Sequence, residues 1–235
     1  MTRFKNASIL LTGASGDVGL ALLQECVRRG AKRVYAADAY IDKLKPFAEQ
    51  HPGIVVPLAL DLSSERDILR SGGSCDDINM LINNGNVTLE ADFAGRSSVL
   101  KALFEMKVNY IGVLDLINRM LPSLRHHASS SIVNIMSLGS GAGVNRLNTY
   151  CASRSAMHVL THALRDELRA EHIQVFGVYP GYRYRELSPN VLFELTNHEE
   201  IAHHICAGIE AGTSDIFPDE CARQWQHHLK LAAST

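Results

Sequence analysis

A short apolar run that leads straight into a glycine-rich turn and then into an amphipathic segment is the pattern that most narrows the fold of this chain. Ala7 to Thr12 reads as a buried strand, and Thr12-Gly13-Ala14-Ser15-Gly16-Asp17-Val18-Gly19 as a turn opening a helix that runs to about Arg29, capped by Gly30. The unit then recurs. Arg33 to Ala37, Ile54 to Leu60, Ile78 to Ile82, the run ending at Met136, and Val175 to Tyr179 read as further buried strands, and Asp215 to Phe217 as a short seventh. Between them the spacing predicts helices over Ile41–Gln50, from Ser63 or Ser64 to about Arg70, over Val99–Arg125, over Tyr150–Glu171 and from Thr196-Asn197 to Gly212. Ser71 to Ser74 reads as a turn, and the tail from Asp219 as helical. Such alternation specifies an α/β fold: one doubly wound parallel sheet of about seven strands with helices on both faces, forming a single domain over residues 1–235.

Chemistry-bearing residues fall at the carboxyl ends of these strands, where open α/β sheets keep their sites. Glycines in the first turn let the backbone approach a pyrophosphate, which then rests on the helix N-terminus. Asp38 ends the second strand, nineteen residues after Gly19. A carboxylate there accepts hydrogen bonds from both ribose hydroxyls of NAD and repels the 2′-phosphate of NADP; the alternative is an exposed loop carboxylate. Asp17 is also acidic, and no Arg stands in the turn or directly after Asp38, so NAD is expected over NADP. Ser137 follows the fifth strand. Tyr150 and Arg154 stand four apart, on one face of a helix. A phenol has an unperturbed pKa of about 10, and a cation within a few ångströms favours its phenolate.

Together these markers resemble the short-chain dehydrogenase/reductase family, with a Rossmann-like fold. The family's Tyr-x-x-x-Lys falls on Tyr150 and Arg154, its Ser on Ser137, its helix Asn on Asn109, its glycine turn on Gly13, Ser15, Gly16, Asp17, Val18 and Gly19, and its Pro-Gly on Pro180 and Gly181. The resemblance implies that Asp61-Leu62 faces an adenine and that Asn83-Asn84-Gly85 flanks the cofactor. It also implies that Asn109 perturbs its helix and holds a water. The departures are Arg154 for Lys, a Gly-x-x-Gly-x-x-Gly spacing, Asn83-Asn84-Gly85-Asn86 in place of Asn-Asn-Ala-Gly, and Arg185 near the family's usual Thr. Arg keeps the charge and the donors of Lys but does not deprotonate, so it cannot pass a proton onward.

Three functions follow from the resemblance. One is an NAD(H)-dependent carbonyl reductase or alcohol dehydrogenase acting on a small-molecule carbonyl or alcohol, with Tyr150 as acid–base and Ser137 on the reacting oxygen. The second is a noncatalytic NAD(H)-binding protein, regulatory or a partner subunit, and the third a non-redox dehydratase, isomerase or cyclase. A formal net charge of −2 leaves no footprint for nucleic acid or an anionic membrane. No apolar run is long enough for a membrane span, and a cytoplasmic protein is expected. Five scattered cysteines without a Cys-x-x-Cys pair predict reduced thiols, and Cys151 reads either as a packing residue or as a reactive thiol. Adjacent histidine pairs point to different sides of a helix, and His158 and His162 lack a companion Glu, so no metal site is expected. Family resemblance points to a homodimer through the helices at 99–125 and 150–171, or a monomer, rather than a tetramer.

Overall fold

The computed structural model describes residues 4–89, 94, 96–140, 147–181 and 197–232. Its centre is a seven-stranded sheet made of β1 (Ser8–Thr12), β2 (Arg33–Asp38), β3 (Val55–Ala59), β4 (Met80–Asn83), β5 (Ser130–Ile135), β6 (Ile173–Val178) and β7 (Asp215–Ile216). The order across the sheet is β3-β2-β1-β4-β5-β6-β7, and each pairing is parallel. The helices are α1 (Asp17–Arg28), α2 (Lys45–Gln50), α3 (Glu65–Ser74), α4 (Ser98–Met106), α5 (Gly112–Arg125), α6 (Asn148–Glu167), α7 (His198–Glu210) and α8 (Glu220–Ala232).

A parallel strand covered on both faces reads as continuous apolar sequence, because alternate side chains serve different cores. In β1, Ile9 and Leu11 join Leu22 of α1 and Ile205 of α7, while Leu10 joins Leu116 of α5 and Met157 of α6. The same alternation places Met80 and Ile82 in the first core and Leu81 in the second. Two helix layers therefore sandwich the sheet as the sequence predicts.

Two segments depart from the expected pattern. The turn expected at Ser71–Ser74 is the last turn of α3, which Ser64 caps by accepting the Asp67 N–H at 3.3 Å. Buried Ile68 and Ser71 anchor it, and tertiary packing overrides the weak helix propensity of Gly72 and Gly73. The single helix expected over 99–125 is α4 and α5 joined by a π-helical segment, Lys107–Ile111, centred on Asn109. Gly112 follows because the carbonyl of Leu62 occupies the space a Cβ would need.

At the far end of α1, Glu25 accepts hydrogen bonds from Arg28 and Arg29, all at 2.7 Å, and faces His203 of α7 at 3.2 Å. The Arg28 bonds, against the opposing cost of burial and with help from Arg29, hold its carboxyl down at about 2 from an ordinary 4.5. A lowered carboxylate contributes stability that is present above its unfolded pKa and lost as pH falls through the folded one. Glu25→Gln is therefore expected to cost on the order of 1–3 kcal/mol at neutral pH. In denaturation curves the gap to the parent should close between about pH 4.5 and pH 2; a pH-independent gap would exclude this ion cluster as the cause.

Candidate active site

The glycine turn is laced to the end of the neighbouring strand. Gly13 has φ +63°, and a Cβ there would lie 2.6 Å from the Cα of Gly85, so that position requires glycine, while a Cβ at Gly85 would crowd Leu62 and the Gly13 N–H at 3.0–3.2 Å. Thr12 Oγ1 accepts the N–H groups of Asn84 at 3.1 Å and Gly85 at 3.0 Å. Asn84 Nδ2 returns two bonds, to the carbonyls of Thr12 at 3.2 Å and Gly13 at 3.0 Å. Asp38 closes the third side, with Oδ2 accepting from Ser15 N at 3.1 Å and Oδ1 from Tyr40 N at 3.3 Å.

Two adjoining cavities open over this framework. One, of about 280 Å³, is lined by Gly13, Ser15, Gly16, Asp17, Val18 and Gly19 together with Asp38, Asn84, Gly85, Asn86 and His198. The other, of about 350 Å³, shares Gly13, Asp38, Gly85 and Asn86, and is walled by Leu60, Leu62, Val87, Phe104 and Val108, with Asp61 and Tyr40. Asp61 keeps its loop in place by accepting the Ser63 N–H at 2.7 Å.

Ser137, Tyr150 and Arg154 are all buried, at 8%, 3% and 2% exposure, and line neither of these cavities. Tyr150 and Arg154 lie on α6, with the guanidinium carbon 5.8 Å from the phenol ring centroid. Arg154 Nη2 donates to the carbonyl of Ile135, tying α6 to the end of β5 two residues before Ser137. The Ser137 carbonyl accepts from Ser140 N at 2.9 Å and Ser140 Oγ at 2.6 Å, which fixes the bend after the strand. Cys151 is buried against Tyr150 and Leu147.

Asn109 is fully buried in the π segment. Its amide clasps the backbone of Val87, accepting from N and donating to O, both at 2.8 Å, and donates to Ser153 Oγ at 3.0 Å. Ser153 in turn donates to the Tyr150 carbonyl at 2.7 Å. The side chain that the resemblance links to a water thus braces α6.

Other expected site residues serve as supports. Asn83 lines neither cavity; it donates to Asn134 at 2.8 Å, which donates to Thr161 of α6 at 2.9 Å. Pro180 accepts from Leu138 N at 3.3 Å, and Gly181 N donates to Asp219 at 2.7 Å. Arg185 lies outside the described residues. Ser153, Asp219 and His198 carry no motif in the sequence. Only the position of Ser153, one helical turn after Tyr150, offers a signal. Asp219 takes the N–H groups of Gly181 and of Ala222 at the start of α8, and burial, despite those bonds, pushes its carboxyl up.

Fold and site define a class, the doubly wound α/β proteins whose site lies at the carboxyl ends of the strands. A family model described as short chain dehydrogenase matches residues 7–191, and the chain belongs to that family. It is 31% identical to the human dehydrogenase/reductase SDR family member 11, over 77% of this chain and 75% of that protein. It is also 31% identical to the dehydrogenase/reductase SDR family protein 7-like of Anopheles gambiae, over 78% of this chain but 61% of that protein, so it spans about three fifths of that relative's length. The crystal structure of a short chain dehydrogenase from Burkholderia cenocepacia in complex with NADP superimposes with a TM-score of 0.86 at 25% identity, covering 99% of this chain and 96% of that one.

Asn109→Ala would leave the half-buried N–H and C=O of Val87 without their side-chain partner and release the buried Ser153. A loss of about 1–3 kcal/mol in denaturant-unfolding stability is expected, the usual cost of unpairing such groups. A change below about 0.5 kcal/mol, the range of ordinary surface substitutions, would refute the bracing role.

Proposed function

We propose that this chain, folding as one domain over residues 1–235, is an NAD(H)-dependent carbonyl reductase or alcohol dehydrogenase, of an atypical branch in which Arg154 replaces lysine. The observation that carries the reading is the pair of adjoining cavities over the laced glycine turn, with Asp38 on the wall they share. The residues fit a dinucleotide. The apolar walls of Leu60, Leu62 and Val108 suit an adenine, Asp38 suits the hydroxyls of its ribose, and the turn suits a diphosphate. A bound nicotinamide would supply or accept the hydride.

Tyr150 would give a proton to the carbonyl oxygen, and the Ser137 hydroxyl would hydrogen-bond the same oxygen as charge develops on it. Arg154 is buried beside the phenol, with its guanidinium carbon 5.8 Å from the ring centroid. A guanidinium stays protonated, so the proton of Tyr150 would be exchanged with solvent by another route. The Burkholderia structure holds NADP, and the choice of NAD here rests on Asp38. Arg154 also favours a second reading, a noncatalytic nucleotide-binding protein, because its guanidinium is engaged by the Ile135 carbonyl.

With NADH and a panel of carbonyl compounds, turnover is expected, with NADH bound more tightly than NADPH. Tyr150→Phe should lower kcat by about 10²–10⁴-fold. Equal affinity for NADPH would remove the role of Asp38, and unchanged turnover that of Tyr150. Arg154→Lys separates the two readings: a gain in rate marks an enzyme limited by its proton path, and binding without turnover in both forms marks a binding protein.

The homodimer rests on an apolar strip. Val99, Leu100 and Leu103 of α4, Ile111 of the π segment and Val159 of α6 are all more than half exposed. Their burial against a second copy would remove apolar surface from water. A dimer is expected in sedimentation, and Leu100→Glu with Val159→Glu should give monomers; a monomeric parent protein would end the proposal.

A further inference from the structure

We infer that His198 is a ligand for the diphosphate of the bound dinucleotide, an assignment that rests on the dinucleotide reading above. His198 lines the cleft of about 280 Å³ over the glycine turn, although it lies far along the chain from every other residue there. The ionisable side chains of that cleft, among the described residues, are Asp17, Asp38 and His198. A diphosphate adds two negative charges to a site that already holds two carboxylates. The amino terminus of α1 offers the equivalent of about half a positive charge, and Asp17, in its first turn, offsets that field. His198 is therefore the cleft side chain that can donate an N–H and also carry positive charge.

Its position is fixed. Asn197 caps α7 by accepting the Glu200 N–H at 2.7 Å, and Ile201, Ala202 and Ile205 pack with Leu22 and Leu23 of α1 in one core. The first turn of α7 is thus held against the helix that begins with the glycine turn.

Binding of ADP, adenosine and 2′,5′-ADP to the full chain, measured by calorimetry, tests the assignment. In His198→Ala the Kd for ADP is expected to rise about tenfold, a typical charge-assisted hydrogen bond, with adenosine unchanged; His198→Arg should keep ADP binding. An unaltered ADP affinity in His198→Ala, an equal loss for adenosine, or a loss confined to 2′,5′-ADP would overturn it. A parent protein that binds neither adenosine nor ADP would instead overturn the dinucleotide reading, and this assignment with it.

Discussion

One hydroxyl holds the site's floor together. Thr12 stands at the end of β1, and the sheet order places β1 between β2 and β4, where successive connections run to opposite sides and leave a crevice. By accepting two N–H groups from the strand across that crevice, Thr12 sets the separation of the two strand ends. Asn84 repeats the link in the opposite direction. Both partners are buried, so each bond is made where an unsatisfied group would be costly. Gly13 and Gly85 then meet at a distance no side chain would allow, and both cavities inherit their shape from that contact.

The fold was legible because a parallel sheet covered on both sides needs apolar residues at consecutive positions, and Ile9, Leu10 and Leu11 serve both cores in turn. The placement of Asp38 beside the glycine turn was legible because it is set by spacing along one βαβ unit. The supports were not. Ser153 and Asp219 act through partners 44 and 38 residues away, His198 lines a cleft with residues more than a hundred positions away, and no local pattern encodes such placements. The π segment was half visible: Asn109 is a poor helix former, but the backbone of Val87 that rewards it lies in a distant loop. Gly72 and Gly73 misled for the converse reason, since local propensity there is outweighed by the buried face of α3.

Charge placement decides how buried Arg154 is held. A buried cation must be compensated, and the Ile135 carbonyl supplies one dipole to the guanidinium. A planar guanidinium donates to such a carbonyl through an N–H of its edge while its carbon stays 5.8 Å from the Tyr150 ring centroid. Arg154 is therefore a fixed strut between α6 and β5.

That strut is one of two. Asn109 holds α6 from the π segment through Ser153, and Arg154 holds it from the sheet, one residue further along the same helix. Tyr150 sits a turn before both attachments, so its phenol is carried by a helix fixed on two sides. Rate acceleration by an acid–base group depends on its standing in place before the reacting atoms arrive, and on little reorganisation when they do. In the proposed reaction, loss of the proton relay is then set against a more rigid phenol. The balance between the two decides whether this arrangement turns over or only binds.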